Sequence, residues 1–290
     1  MFTGSIVAIV TPFRNGRVDE RALGDLIEVQ IAHGTNGIVP CGTTGESATL
    51  SHDEHHRVIA FTVEVVHRRV PVIAGTGSNS TEEAIALTRH AQQVGADGAL
   101  LITPYYNKPM QEGLFRHYKA VAEAVDLPIV LYNIPGRTGV NLLPATVARL
   151  AAVPNIAAIK EGSGSVQQVS DIIQLSGDRI TVLSGDDPLT LPMMALGAKG
   201  VITVTANLVP RDMARMVNAW LAGNTEEARR VHYKLAPLFA VLFCETNPIP
   251  VKAALAMMGK IDGELRLPLS PLAPDSREKL GRALKEYGLI

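Results

Sequence analysis

The sequence predicts an α/β fold: a closed (β/α)₈ TIM barrel carrying a C-terminal helical extension. Three observations lead there. Eight short apolar runs, each bounded by Gly, Pro or Asn, are spaced between Ser5 and Val204. Between them lie stretches with apolar residues at intervals of three and four, the period of a helix that covers a sheet. Nearly every polar cluster falls just after an apolar run, at the end of a strand where such barrels present their chemistry.

In chain order the strands are expected at Ser5–Val10, Asn36–Pro40, Pro71–Ala74, Gly98–Thr103, Pro128–Tyr132, Asn155–Lys160, Ile180–Leu183 and Gly200–Val204. Most carry β-branched residues and are apolar throughout, as strands buried on both faces require. Among the intervening helices are Arg21–Ala32, Glu82–Val94 and Pro144–Leu150. Ser51 followed three residues later by Glu54 forms a capping box and starts another. Eight such units favour closure; a doubly wound open sheet is the alternative. The barrel is expected to span residues 1–223. Residues 224–290 then form three helices, Thr225–Leu242, Pro250–Met258 and Asp275–Tyr287, with Pro268 and Pro271 interrupting the last connection.

Composition narrows the function. At 290 residues and 47% hydrophobic, the chain buries a large core. A net charge of -1, the absence of a basic run and the few aromatics argue against nucleic acid as the main partner. No apolar run approaches the roughly 18 residues of a membrane span, and Ile6–Val10 lacks the basic flank of a signal peptide and runs into Pro12. The expected location is cytoplasmic. Cys41 and Cys244 form no metal or redox spacing and are expected to be reduced.

The strongest chemical signal is Lys160. It ends the apolar strand Asn155–Lys160 and is followed by Glu161-Gly162. Desolvation at such a strand end favours the free amine, the form that attacks a carbonyl; a lysine pointing to solvent is the bland alternative. After the second strand, Cys41-Gly42-Thr43-Thr44-Gly45-Glu46-Ser47 turns tightly enough to aim hydroxyls and N–H groups at a carboxylate, although a purely structural turn uses the same residues. Tyr105 and Tyr106 follow the fourth strand and Tyr132 ends the fifth, placing three of the six tyrosines at two strand ends. A phenol beside an imine-forming lysine can shuttle protons. Arg137, on the loop Pro135-Gly136-Arg137-Thr138-Gly139, offers a bidentate fork to a second carboxylate, or else a surface ion pair.

Other clusters are read more plainly. Asp186 and Asp187 suit the N-cap of a helix beginning near Pro188, and Gly185 before them lets a ligand approach. His52 and His56 have metal-ligand spacing but no accompanying glutamate in the protease pattern, so no metal site is expected. Gly162-Ser163-Gly164 would permit a phosphate, and with Lys160 a pyridoxal phosphate. Barrels more often place that site after strands seven and eight, so no organic cofactor is expected.

Together these segments resemble the pyruvate-dependent class I aldolase family that includes N-acetylneuraminate lyase and dihydrodipicolinate synthase, over essentially the whole chain. Gly42-Thr43-Thr44-Gly45-Glu46, Tyr132 and Ile159-Lys160-Glu161 carry the resemblance. Arg137-Thr138-Gly139, Thr103–Pro109, Gly200–Asn207 and Asn247–Lys252 direct it to the synthases. It implies a lyase of lysine and diaminopimelate biosynthesis that condenses pyruvate with L-aspartate 4-semialdehyde to 4-hydroxy-tetrahydrodipicolinate through a Schiff base on Lys160, without a cofactor. The same resemblance makes Thr43, Tyr106 and Tyr132 the proton relay, with Tyr106 reaching a neighbouring subunit of a homotetramer. Thr44 would hold the pyruvate carboxylate and Arg137 that of the semialdehyde, while Gly185 and Ile202 line the site. It also implies a lysine effector site at Ser47, Ala48, His52, His55, Asn79, Glu83 and Tyr105. Another pyruvate aldolase, such as a sugar-acid lyase, is the alternative.

Overall fold

A computed structural model describes residues 2–290. Eight parallel strands form the barrel: β1 (Gly4–Ala8), β2 (Gly37–Val39), β3 (Ile73–Gly75), β4 (Gly98–Ile102), β5 (Ile129–Asn133), β6 (Ile156–Glu161), β7 (Thr181–Ser184) and β8 (Gly200–Thr203). Their hydrogen-bonded order is β2-β1-β8-β7-β6-β5-β4-β3. The ring shuts between β2 and β3, through the parallel bridge Ile38↔Val72 and the Ile38 and Gly75 N–H groups, which donate to Pro71 and Pro40 carbonyls at 2.9 Å. Closure leaves no long exposed edge, the condition that an eight-stranded parallel sheet with one helix per strand meets most simply.

The helices follow in turn: α1 (Glu20–Ala32), α2 (His52–Val66), α3 (Thr81–Gln93), α4 (Gln111–Ala124), α5 (Pro144–Leu150), α6 (Val166–Ser176), α7 (Thr190–Ala195) and α8 (Pro210–Leu221). Strand ends differ from the sequence expectation by a residue or two: β1, β2, β4 and β8 stop short of the end of the apolar run, whereas β3, β5, β6 and β7 begin later and continue one residue past it, to Gly75, Asn133, Glu161 and Ser184. The capping box holds: Glu54 N–H donates to Ser51 Oγ at 3.2 Å, and Ser51 N–H to the Glu54 carboxylate at 2.9 Å. Side-chain parity divides the interior. Ile6, Ala8, Val39, Ile73, Leu100, Val130, Tyr132, Ala158, Leu183 and Ile202 fill the barrel, while the alternate residues pack outward against the helices.

The C-terminal helices are α9 (Thr225–Leu242), α10 (Ile249–Met257) and α11 (Pro274–Tyr287). Asn224 caps α9 by accepting from Glu227 N–H at 3.2 Å. Leu235, Leu238 and Leu242 of α9, Val251 and Leu255 of α10 and Leu280 and Leu284 of α11 are buried in the same core as the outer barrel residues. Among residues 2–290 no helix is long and apolar enough to cross a membrane. Both cysteines are free, Cys41 buried and Cys244 exposed.

One helix-start expectation fails. α7 begins at Thr190 with Leu189 at its N-cap, and no side chain caps it. Asp187 is instead buried, and its carboxylate accepts from Val204 N–H (3.1 Å), Thr205 N–H (2.8 Å) and Thr205 Oγ1 (2.6 Å). Three donors from the β8 loop outcompete a single helix terminus.

Candidate active site

Parity places the principal group. Past the register shift at the start of β6, Ala158 and Lys160 alternate with Ile159 and Glu161, so Lys160 shares the inward face with Ala158 while Ile159 packs outward. In the β5–β6 ladder it lies opposite Tyr132. Lys160 is 6% exposed, and its Nζ stands 4.2 Å from the centroid of the Tyr132 ring. Gly185 closes the other side. Its N–H donates to Glu161 O at 2.7 Å, and an added Cβ would sit 3.1 Å from Lys160 Cγ. The bare Cα therefore lets β7 pack directly on the lysine stem. Ile202 fills the barrel interior beneath.

Outward-facing Glu161 has a different environment. It is fully buried, and its carboxylate accepts from Asn133 Nδ2 (3.0 Å), Gln168 Nε2 (3.1 Å) and Ser163 N–H (2.7 Å). The glycine turn after Lys160 thus gives an amide to its own chain rather than to a phosphate.

A cleft of about 470 Å³ opens beside the strand ends, walled by Thr43, Tyr132, Arg137, Thr138 and Asn247 among others. Thr44 is buried, and its Oγ1 accepts from Asn247 Nδ2 at 3.0 Å. Asn247 O in turn accepts from Arg137 Nη2 at 2.8 Å. One residue of the C-terminal extension thus joins the two groups expected to meet carboxylates. Its own Oδ1 is buried without a partner. Asp187 completes the electrostatics: burial raises its carboxyl pKa, opposed by hydrogen bonds from Thr205 and Thr203 and by the charge of Lys160.

Tyr106 is not among these walls. It is 89% exposed and sits on left-handed backbone at φ 71, as does Lys108 at φ 44, a conformation costly for residues with side chains. Tyr105 does line the cleft, together with Ser47, Ala48, His52, His55 and Glu83. Here His52 Nε2 meets Glu83 at 3.0 Å, Ser78 Oγ donates to the same carboxylate, and Asn79 Nδ2 donates to Tyr105 O at 3.2 Å. Burial, aided by the other histidines, lowers His55 to a pKa of about 4. His56 stacks on His90 with centroids 3.9 Å apart.

Sequence reasoning assigned no role to Asn247, Glu46 or Lys252. Lys252 is wholly buried; its Nζ donates to Glu46 Oε1 at 2.5 Å and to Thr11 O at 3.0 Å. A signal was present: Lys252 is the one charged residue in Ile249–Met257, and an ammonium within an apolar helix needs a partner.

Comparison with known proteins agrees with this architecture. A profile of the dihydrodipicolinate synthetase family matches residues 1–287. A 4-hydroxy-tetrahydrodipicolinate synthase from Geotalea uraniireducens is 65% identical over 290 residues, the full length of both chains. Among solved structures, the dihydrodipicolinate synthase of Acinetobacter baumannii complexed with pyruvate superposes with a TM-score of 0.98 at 52% identity, covering all of both chains. The enzyme from Cyanidioschyzon merolae with lysine bound gives 0.96 at 42% identity, covering 100% of this chain and 99% of that one.

Proposed function

The chain belongs to the dihydrodipicolinate synthetase family, and we infer from this membership that it is a lyase condensing pyruvate with L-aspartate 4-semialdehyde to 4-hydroxy-tetrahydrodipicolinate. The observation that carries the mechanism is the inward Lys160 amine, 4.2 Å from the Tyr132 ring at the barrel's C-terminal mouth. Lys160 attacks the pyruvate carbonyl and expels water to form an imine. Loss of a methyl proton gives the enamine, whose carbon attacks the aldehyde of the semialdehyde. The substrate amine then closes the ring onto the imine carbon, and the C–N bond to Lys160 breaks.

Thr43, Tyr132 and Tyr106 relay the protons in this reading, with Tyr106 supplied by an adjacent subunit; its exposed ring and left-handed backbone favour such a reach. Thr44 and the Gly42–Gly45 turn receive the pyruvate carboxylate, and Arg137 that of the semialdehyde. Gly185 and Ile202 line the site. The imine nitrogen is itself the electron sink, so the residues need no metal or organic cofactor for these steps. A tetramer and a cytoplasmic location complete the proposal. Lysine is assigned as an effector, its ammonium toward Glu83 and its carboxylate toward Asn79, in the arm of the cleft that holds His52, His55, Ser47, Ala48 and Tyr105.

The test is product formation from pyruvate with L-aspartate 4-semialdehyde, run beside N-acetylmannosamine and a sugar aldehyde. Turnover with the semialdehyde alone is expected; turnover only with a sugar aldehyde would overturn the substrate assignment. Borohydride with pyruvate should add a stable mass to the Lys160 peptide, and labelling elsewhere would overturn its role. Initial rates unchanged by millimolar-scale lysine would remove the effector site.

A further inference from the structure

Two non-glycine residues bound the turn that carries Thr43 and Thr44, and both are left-handed: Cys41 at φ 54 and Glu46 at φ 52. Only Gly and, less readily, Asn or Asp adopt this backbone without cost, so surrounding contacts must hold it. At Cys41 the hold is apolar burial. At Glu46 it is electrostatic. One carboxylate oxygen accepts from Lys252 Nζ at 2.5 Å, the other from Arg266 N–H at 3.2 Å. Lys252 also donates to Thr11 O, and Thr11 Oγ1 donates to Gly45 O at 2.7 Å. The ammonium and the Arg266 guanidinium both lie on the Phe13 ring, at 4.3 and 4.2 Å from its centroid.

A buried ion pair is a poor means of stabilising a fold, because desolvation offsets most of its attraction and an apolar pair does as well. Its distinctive property is direction. Here it fixes the last residue of a five-residue turn from a helix remote in sequence, while Asn247 on the same segment donates to Thr44. We propose that Lys252 is a positioning residue: through Glu46 it holds the Gly42–Glu46 turn in the geometry that receives the pyruvate carboxylate. This rests on the assignment of Thr44 and the Gly42–Gly45 turn to the pyruvate carboxylate above.

The full-length variants Glu46→Gln, Lys252→Met and the double variant Glu46→Gln/Lys252→Met separate positioning from stability. Lys252→Met alone strands a buried carboxylate and should fail to fold or lose most activity. The double variant removes both charges and should fold cooperatively. Its KM for pyruvate should rise by about tenfold or more, with the KM for the semialdehyde and the borohydride-trapped fraction at saturating pyruvate unchanged. Glu46→Gln keeps the shape and a hydrogen bond from Lys252 but leaves that ammonium without its counter-charge, so it should lower the melting temperature and raise the same KM several-fold. A wild-type pyruvate KM in the double variant, or in Glu46→Gln if the double variant does not fold, overturns the proposal. Absence of wild-type turnover with these substrates would instead overturn the reading beneath it.

Discussion

Adding one methyl group at Gly75 probes how rigidly the Thr43–Thr44 turn is seated. Gly75 ends β3 beside that turn, and its N–H donates to Pro40 O at 2.9 Å. A Cβ there would lie 2.2 Å from Cys41 O, 2.6 Å from Cys41 C and 2.9 Å from Gly42 N, all backbone atoms. No side chain can rotate to make room. To reach the 3.4 Å at which ordinary contact begins, the Cys41 carbonyl must recede by about 1.2 Å, carrying Gly42 and Thr43 with it. Overpacking of this kind costs about 1–3 kcal/mol of stability. For a chain of this size each kcal/mol is about 2–4 °C, so the melting temperature should fall by roughly 2–12 °C. A misplacement near 1 Å in a positioning group costs about 100-fold in rate. The assay is kcat/KM for pyruvate together with thermal melting, for Gly75→Ala beside Gly136→Ala as control. Gly136 adjoins Arg137, yet a Cβ there meets nothing within 4 Å, so its kcat/KM should stay within about twofold of wild type. Wild-type kcat/KM and melting in Gly75→Ala would refute the reasoning.

Gly281 lies inside α11 with open space at its Cβ position, so Gly281→Ala should stabilise by about 0.5–1 kcal/mol in urea unfolding; a lower midpoint would contradict this. His55 and His117 are buried and held near a pKa of about 4 by desolvation, below an unfolded value near 6.5. Above pH 6.5 both states are neutral. Between pH 6.5 and 4 only the unfolded chain gains the proton, so stability should fall by about 1.4 kcal/mol per pH unit for each histidine. Urea midpoints at pH 7.5 and 5.0 read this apart from Glu54, whose pKa of about 2 is set by its hydrogen bond to Arg266 and matters only in stronger acid; equal midpoints would refute it. Inactive Tyr106→Phe and Lys160→Ala proteins should regain activity when dissociated and reassembled together, and no recovery in demonstrated mixed oligomers would argue against a shared site.

The eight strands were legible in the order of residues alone, because apolar runs bounded by turn residues are a local signal. That Lys160 and Tyr132 lie near the ends of their strands was legible likewise, as a local signal, whereas their apposition waited on the pairing itself, in which β5 and β6 shift register between Ile129 and Val130. The capping box at Ser51 was legible for the same reason: both partners lie within one turn. Asp187 was not, because its competing donors, Val204 and Thr205, come from the next strand loop. Nor were the Glu46–Lys252 pair and the link from Asn247 to Thr44 and Arg137. Their partners stand more than a hundred residues apart, and no periodicity encodes which buried charge meets which. Only closure of the barrel and docking of α10 against its mouth brings them within hydrogen-bond reach, where the low dielectric makes direction matter. A lone lysine in an apolar helix requires a partner, and folding selects for it the glutamate that ends the Thr43–Thr44 turn.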